Sequence, residues 1–139
     1  MLMGEYHYNV DAKGRLFIPA PLRDELGTKV IVTRSLDQCV NLYSVEEWAR
    51  FVHKLKELPT VTLRETKRFL LASAMEVTAD SMGRIVVSKK LLEEVGISRS
   101  VTIVGVDNHA EIWSDEAYQA FESSCDKKAM LELLSGFSF

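Results

Sequence analysis

The hydrophobic and polar positions of this chain change period along its length. Residues 5–10 and 15–18 alternate or run apolar with aromatic and β-branched members, and predict two strands joined through the polar tetrad Asp11, Ala12, Lys13 and Gly14. The spacing reads as a hairpin. Asp11 sits where its side chain can accept backbone N–H bonds at the start of a turn, and Gly14 where a positive φ is wanted. A short helical pattern follows, with Pro21 in its first turn and Gly27 at its end. Strands are predicted next at 29–34 and 39–43, with Asp37 and Gln38 turning between them.

The same order of elements then recurs about 70 residues later. Val10-Asp11-Ala12-Lys13-Gly14-Arg15-Leu16-Phe17-Ile18 matches Ala79-Asp80-Ser81-Met82-Gly83-Arg84-Ile85-Val86-Val87. Leu22 corresponds to Leu91, Gly27 to Gly96, and Leu42-Tyr43-Ser44 to Ile112-Trp113-Ser114. Ser88 is placed to cap the second copy's helix, and strands at 99–104 and 109–113 are joined by Asp107 and Asn108. A copy of about 45 residues is too small to bury a core of its own, so the two are expected to share one.

Helical periodicity fills the remainder. Ser44 and Glu47 form a capping box before an apolar face of Trp48, Phe51, Val52, Leu55 and Leu58, which Pro59 ends. Tyr43 should meet Trp48 at that helix entry, and Trp113 should meet Tyr118 at the equivalent one. A second capping box, Thr62 with Glu65, predicts a helix to about Ala74 on which Arg64, Lys67 and Arg68 share a face. Such a face is ordinarily solvated, and beside a DNA-binding edge it could contact phosphate. Residues 115–134 read as helical, followed by the apolar tail Gly136, Phe137, Ser138 and Phe139. Phe137 and Phe139 are expected to pack on this subunit or a neighbour.

Composition narrows the class. A hydrophobic fraction of 47% over 139 residues is that of one folded domain. No stretch approaches the roughly 18 apolar residues of a membrane span, and the start lacks a basic region followed by an apolar core, so a cytoplasmic protein is expected. Cys39 and Cys125 lie far apart with no His or thiol at ligand spacing, so neither a metal site nor a disulfide is predicted. His7, His53 and His109 read as isolated, and no nucleophile, carboxylate pair or phosphate loop has supporting spacing. No catalytic residue, cofactor or metal is therefore assigned.

Charge points elsewhere. The formal charge is −3, yet residues 1–75 hold 11 Lys and Arg against 9 Asp and Glu, while residues 76–139 hold 6 against 11. A polyanion would therefore meet the first half. Arg15 and Arg84 leave both turns at the same strand-opening position, and turn chemistry explains the Asp and Gly but not the Arg. In the purely structural reading Arg15 pairs with Asp11 within the turn. In the DNA-binding reading the two tips form a β-type reading head, with Arg bidentate to guanine and Lys13 on guanine or phosphate. Met82 stands in the place of Lys13, so the first copy is expected to be the stronger reader.

The opening Met1, Gly4, Glu5 and Tyr6, the Asp11-to-Arg15 motif with Ile18-Pro19-Ala20, the run from Thr33 to Cys39, the second Asp80-x-x-Gly83-Arg84 and the segment Glu111 to Ser114 together resemble the MraZ family across essentially the whole chain. The resemblance implies an α+β fold of two SpoVT-AbrB-type swapped-hairpin repeats that form one pseudo-twofold β-barrel with flanking helices. Its parts would be a first repeat at 5–47, a helical connector at 48–75, a second repeat at 76–119, and a C-terminal helix and tail at 120–139. It further implies a bacterial transcriptional regulator, usually a repressor, of the division and cell-wall gene cluster including its own gene. Such a protein binds guanine-containing direct repeats in double-stranded DNA, forms ring-shaped homo-oligomers and is nucleoid-associated. Arg15, Lys13 and Arg84 would be the DNA-binding residues, with Asp11, Gly14, Asp80 and Gly83 shaping the tips. The alternatives are an AbrB-fold antitoxin whose partner is a toxin and, more remotely, a hydrolase.

Overall fold

The computed structural model describes residues 1–137, and the Phe139 tail residue lies outside them. It is an α+β structure of eight strands and six helices among those residues. In the first copy these are β1 (Leu2–Asn9), β2 (Arg15–Phe17), α1 (Ala20–Leu26), β3 (Lys29–Arg34), β4 (Val40–Ser44) and α2 (Val45–Lys56). After α3 (Thr60–Leu71), the second copy supplies β5 (Met75–Thr78), β6 (Arg84–Val86), α4 (Lys89–Glu94), β7 (Ser100–Asp107), β8 (Ala110–Ser114) and α5 (Asp115–Ser124), and α6 (Lys127–Leu133) follows.

The turns form as predicted, but their arms do not pair with each other. β1 lies antiparallel to β7 of the other copy, with Leu2 opposite Asp107 and Asn9 opposite Ser100. In the reciprocal exchange, β5 lies on β3, with Lys29 opposite Thr78. β2 pairs with β6 as a separate two-stranded ribbon centred on Leu16 opposite Ile85. The expected hairpins are thus turns whose ladders are completed by the opposite copy. Backbone N–H groups must find a partner when buried, and a strand from the other copy satisfies them as well as a local one.

The large sheet runs β1-β7-β8-β4-β3-β5 and is open, with β1 and β5 as edges, so the closed barrel is not present. One apolar cluster spans both copies. Val10, Leu16, Ile18, Leu22 and Leu26 of the first pack in it with Ile85, Val87, Leu91, Leu92 and Ile97 of the second. Arg34 adds a polar tie across the copies, its Nε and Nη2 each donating to the Glu94 carboxylate at 2.9 Å.

The helix entries carry the expected chemistry. Ser44 accepts from the Glu47 N–H at 3.1 Å, and Ser88 from Leu91 at 3.2 Å. Tyr43 meets Trp48 at 5.5 Å between ring centroids, and Trp113 meets Tyr118 at 5.7 Å. Two boundaries differ. α3 starts at Thr60 after Pro59, and the Thr62 hydroxyl donates back to the Pro59 carbonyl rather than capping a helix. The predicted helix over 115–134 breaks at Cys125, because the Asp126 side chain accepts from the Ala129 N–H and starts α6 afresh.

Candidate nucleic-acid interface

Each tip is built by an aspartate that accepts three hydrogen bonds. Asp11 Oδ1 accepts from the backbone N–H groups of Lys13 and Arg15, each at 2.9 Å, and Oδ2 accepts from Arg15 Nε at 2.5 Å. Asp80 repeats this with Met82 and Arg84, at 2.9, 2.9 and 2.8 Å. The Arg15 backbone N–H holds the Asp11 carboxyl below its ordinary value, outweighing burial, with the Arg15 side chain and the Lys13 N–H adding to it. The same partners from Arg84 and Met82 lower Asp80. Both carboxylates therefore stay ionised as acceptors.

The turn closes with Gly14 at φ 78° and Gly83 at φ 81°, each N–H bonded to its aspartate carbonyl at 3.0 Å. Only glycine fits the first of these. A Cβ on Gly14 would stand 2.5 Å from the Val87 carbonyl oxygen, which is backbone and cannot yield. The carbonyl of each tip glycine in turn accepts from the other copy, Val87 N–H at 2.9 Å and Ile18 N–H at 3.0 Å. The two tips are thereby fastened to opposite ends of the β2–β6 ribbon.

That ribbon gathers the predicted arginines. Side chains alternate along a strand, and Leu16 and Ile85 point into the core at 1% exposure. Arg15 and Phe17 of β2 and Arg84 and Val86 of β6 therefore share the outer face, Arg15 opposite Val86 and Arg84 opposite Phe17. The two arginines stand on a diagonal of that face, a separation of about 7–8 Å.

The Asp11–Arg15 pair of the structural reading is formed, and so is its counterpart. Each uses Nε, and among the described residues no acceptor is bonded to the Nη groups of Arg15 or Arg84. A carboxylate on Nε fixes the guanidinium plane and leaves the outer N–H fork for a planar acceptor pair. The copies differ. The Arg15 side chain is 37% exposed and that of Arg84 24%, and Arg84 also lies over the Phe17 ring at 5.8 Å.

Lys13 is exposed at the first tip and, with Lys89 of α4, lines a cleft of about 600 Å³ that also carries Asp11 and Glu93. Arg64, Lys67 and Arg68 lie on α3, and none of them lines the clefts at the first tip. The C-terminal end of α3 docks where Arg34 Nη1 donates to the Phe69 carbonyl at 3.1 Å. Arg34 is the far end of β3 from Lys29, about 17 Å along a strand from the end where the Thr28 carbonyl accepts from the Ala79 N–H beside the second tip. Sequence reasoning passed over Arg23, whose Nη1 reaches the Met82 carbonyl at 3.5 Å. No local signal marks it, because the contact spans the two copies.

The other reactive side chains serve the scaffold. Burial pushes the Cys39 thiol up to about 12, leaving it un-ionised. His109, read as isolated, instead contacts Asn108 Oδ1 at 2.8 Å and Glu111 Oε2 at 3.1 Å and stacks on Tyr43 at 5.3 Å between centroids. No group of three or more His, Cys, Asp or Glu among the described residues could hold a metal. None of the helices among them is long and apolar enough to cross a membrane.

Together the fold and site define a class: a duplicated α+β protein whose copies exchange strands and present two buttressed arginines on one two-stranded ribbon. The family model described as "MraZ protein, putative antitoxin-like" matches residues 1–68 and 70–132. Relatives named "Transcriptional regulator MraZ" include one from a Thermoanaerobacter species, 43% identical over 91% of this chain and 90% of its own length. Another, from Acetivibrio thermocellus, is 40% identical over 94% and 99%, and one from Moorella thermoacetica is 38% identical over 99% of each. The chain belongs to the MraZ family.

Proposed function

We propose that this protein is a transcriptional regulator that binds double-stranded DNA through the outer face of the β2–β6 ribbon. It reads guanine-containing direct repeats upstream of a division and cell-wall gene cluster, its own gene included, and represses from there. The observation that carries the reading is the placement of Arg15 and Arg84 on one ribbon face, each with Nε held by aspartate and its outer fork unbonded. A two-stranded ribbon fits the major groove, where a guanidinium fork bonds guanine O6 and N7. The relatives' shared name supports regulation of transcription.

Arg15 and Lys13 are the principal contacts in this reading, and the less exposed Arg84 is secondary. Asp11, Gly14, Asp80 and Gly83 shape the tips. Any phosphate contact by Arg64, Lys67 or Arg68 lies outside the ribbon. The protein acts in the cytoplasm on the nucleoid and uses no cofactor. An anisotropy titration over a salt series tests this, using the duplex upstream of its own coding sequence and the same duplex with guanines scrambled. The expected result is a steep salt dependence on both and at least a 10³-fold preference for the intact sequence. Equal affinity for the two would refute sequence-specific reading.

The proposal includes a homo-oligomeric ring, in which several weak heads engage spaced repeats and gain affinity by linkage. Its support is uncovered apolar surface. α5 and α6 bury no residue, and Leu131, Leu133 and Phe137 are 67%, 82% and 68% exposed. Light scattering should return a multiple of the single-chain mass for the native protein and a smaller one for Leu133→Asp. An unchanged mass would remove α6 from the interface. The antitoxin reading needs a disordered toxin-binding tail, whereas residues 115–124 and 127–133 here are helical.

A further inference from the structure

The second tip lacks the lysine of the first, and its Met82 is 56% exposed. A different cation arrives there from the other copy. Arg23 extends from α1 over the turn, close enough that a Cβ on Gly83 would stand 1.8 Å from its Nη1. Gly83 is buried, while Gly14 at the first tip is only half-buried. The residue equivalent to Arg23 is Leu92, which is buried and lines the cleft beside the first tip. The two tips are therefore completed in complementary ways, by Lys13 from within its own turn and by Arg23 from the opposite copy.

The charge of Arg23 is not consumed within the fold. Among the described residues no carboxylate lies within ion-pair distance of it, and its one side-chain hydrogen bond, to the Met82 carbonyl, is 3.5 Å long. A bond of that length is weak, so the guanidinium remains available to a stronger acceptor. Its place in the last turn of α1 accounts for a cation on that helix. It does not account for a guanidinium laid across the turn of the other copy.

We propose that Arg23 is a DNA-phosphate contact of the second tip, substituting in space for the lysine that Met82 replaces in sequence. The inference rests on the ribbon being the DNA-binding face, and it makes the second tip an active part of that face.

The test uses the whole protein in its native assembly state with the intact and guanine-scrambled duplexes, titrated by anisotropy over a salt series. For Arg23→Gln, affinity should fall by the same factor on both duplexes, and the slope of log K against log [salt] should shrink by about 1 per engaged second tip. Arg23→Lys should retain the native slope, and Met82→Lys added to Arg23→Gln should restore it. Unchanged affinity and slope in Arg23→Gln would overturn the assignment, as would a loss confined to the intact duplex, which marks a base contact. A lowered unfolding midpoint that Met82→Lys cannot offset in binding would show a structural role instead. Arg15→Ala run in parallel separates the two levels. If it binds as the native protein does, the ribbon is not the reading face. If it loses binding while Arg23→Gln does not, only the role of Arg23 fails.

Discussion

Arg15→Ala is expected to lose roughly 10- to 100-fold in affinity for the intact promoter duplex at each engaged first tip, with little change on the scrambled one. The asymmetry between duplexes follows from the geometry. Arg15 Nε is committed to Asp11, so its outer fork is set at a fixed angle from the ribbon and suits the paired acceptors of guanine better than a single phosphate oxygen. If the proposed ring forms, linkage compounds the loss, because every subunit carries the same defect. Stability should change little, since the side chain is surface-exposed and Asp11 keeps its backbone donors from Lys13 and Arg15. Circular dichroism and light scattering on the variant check that fold and mass persist. Retained promoter affinity in a folded Arg15→Ala protein would refute the ribbon model.

Leu16→Ala should cost about 2–5 kcal/mol of folding stability, as full truncation in a close-packed core does. Leu16 is 1% exposed, faces Ile85 at the centre of the ribbon, and belongs to the cluster that both copies share. Its loss undermines the floor beneath both arginines at once. Urea unfolding should remain one cooperative transition, displaced as a whole, because strands β1 and β5 are each held in the other copy's ladder. Two separated transitions, with only the first copy destabilised, would show that the halves fold independently. DNA affinity should fall as the folded fraction falls, and the Arg84 tip should be affected together with the Arg15 tip.

Much of the local structure was legible from residue types. The Asp and Gly of each tetrad specify a turn through hydrogen bonds made within four residues, and both turns have that geometry. Ser44, Ser88 and the Tyr43–Trp48 and Trp113–Tyr118 pairs mark helix entries for the same reason. Two helix starts were less legible. Thr62 with Glu65 has the form of a capping box, but the helix starts two residues earlier, at Thr60 after Pro59. Asp126 is a good cap inside an otherwise helical pattern, and apolar periodicity on both sides masked it.

The duplicated motif also belongs to what the sequence by itself determined, whereas the pairing of Asp11 with Arg15 stood there as one of two readings of the arginine. Only the tertiary structure decided which strand completes each ladder. A strand's alternation says that it needs a partner and which face it buries, while β7 and β2 satisfy those needs of β1 equally well at the level of pattern. That choice, made by the shared core, opened the sheet at β1 and β5 and set Arg15 and Arg84 on one face. It also carried Arg23 across to a turn of the other repeat. Contacts between copies arise from packing two halves around one core, and no local window of the chain contains both sides of them.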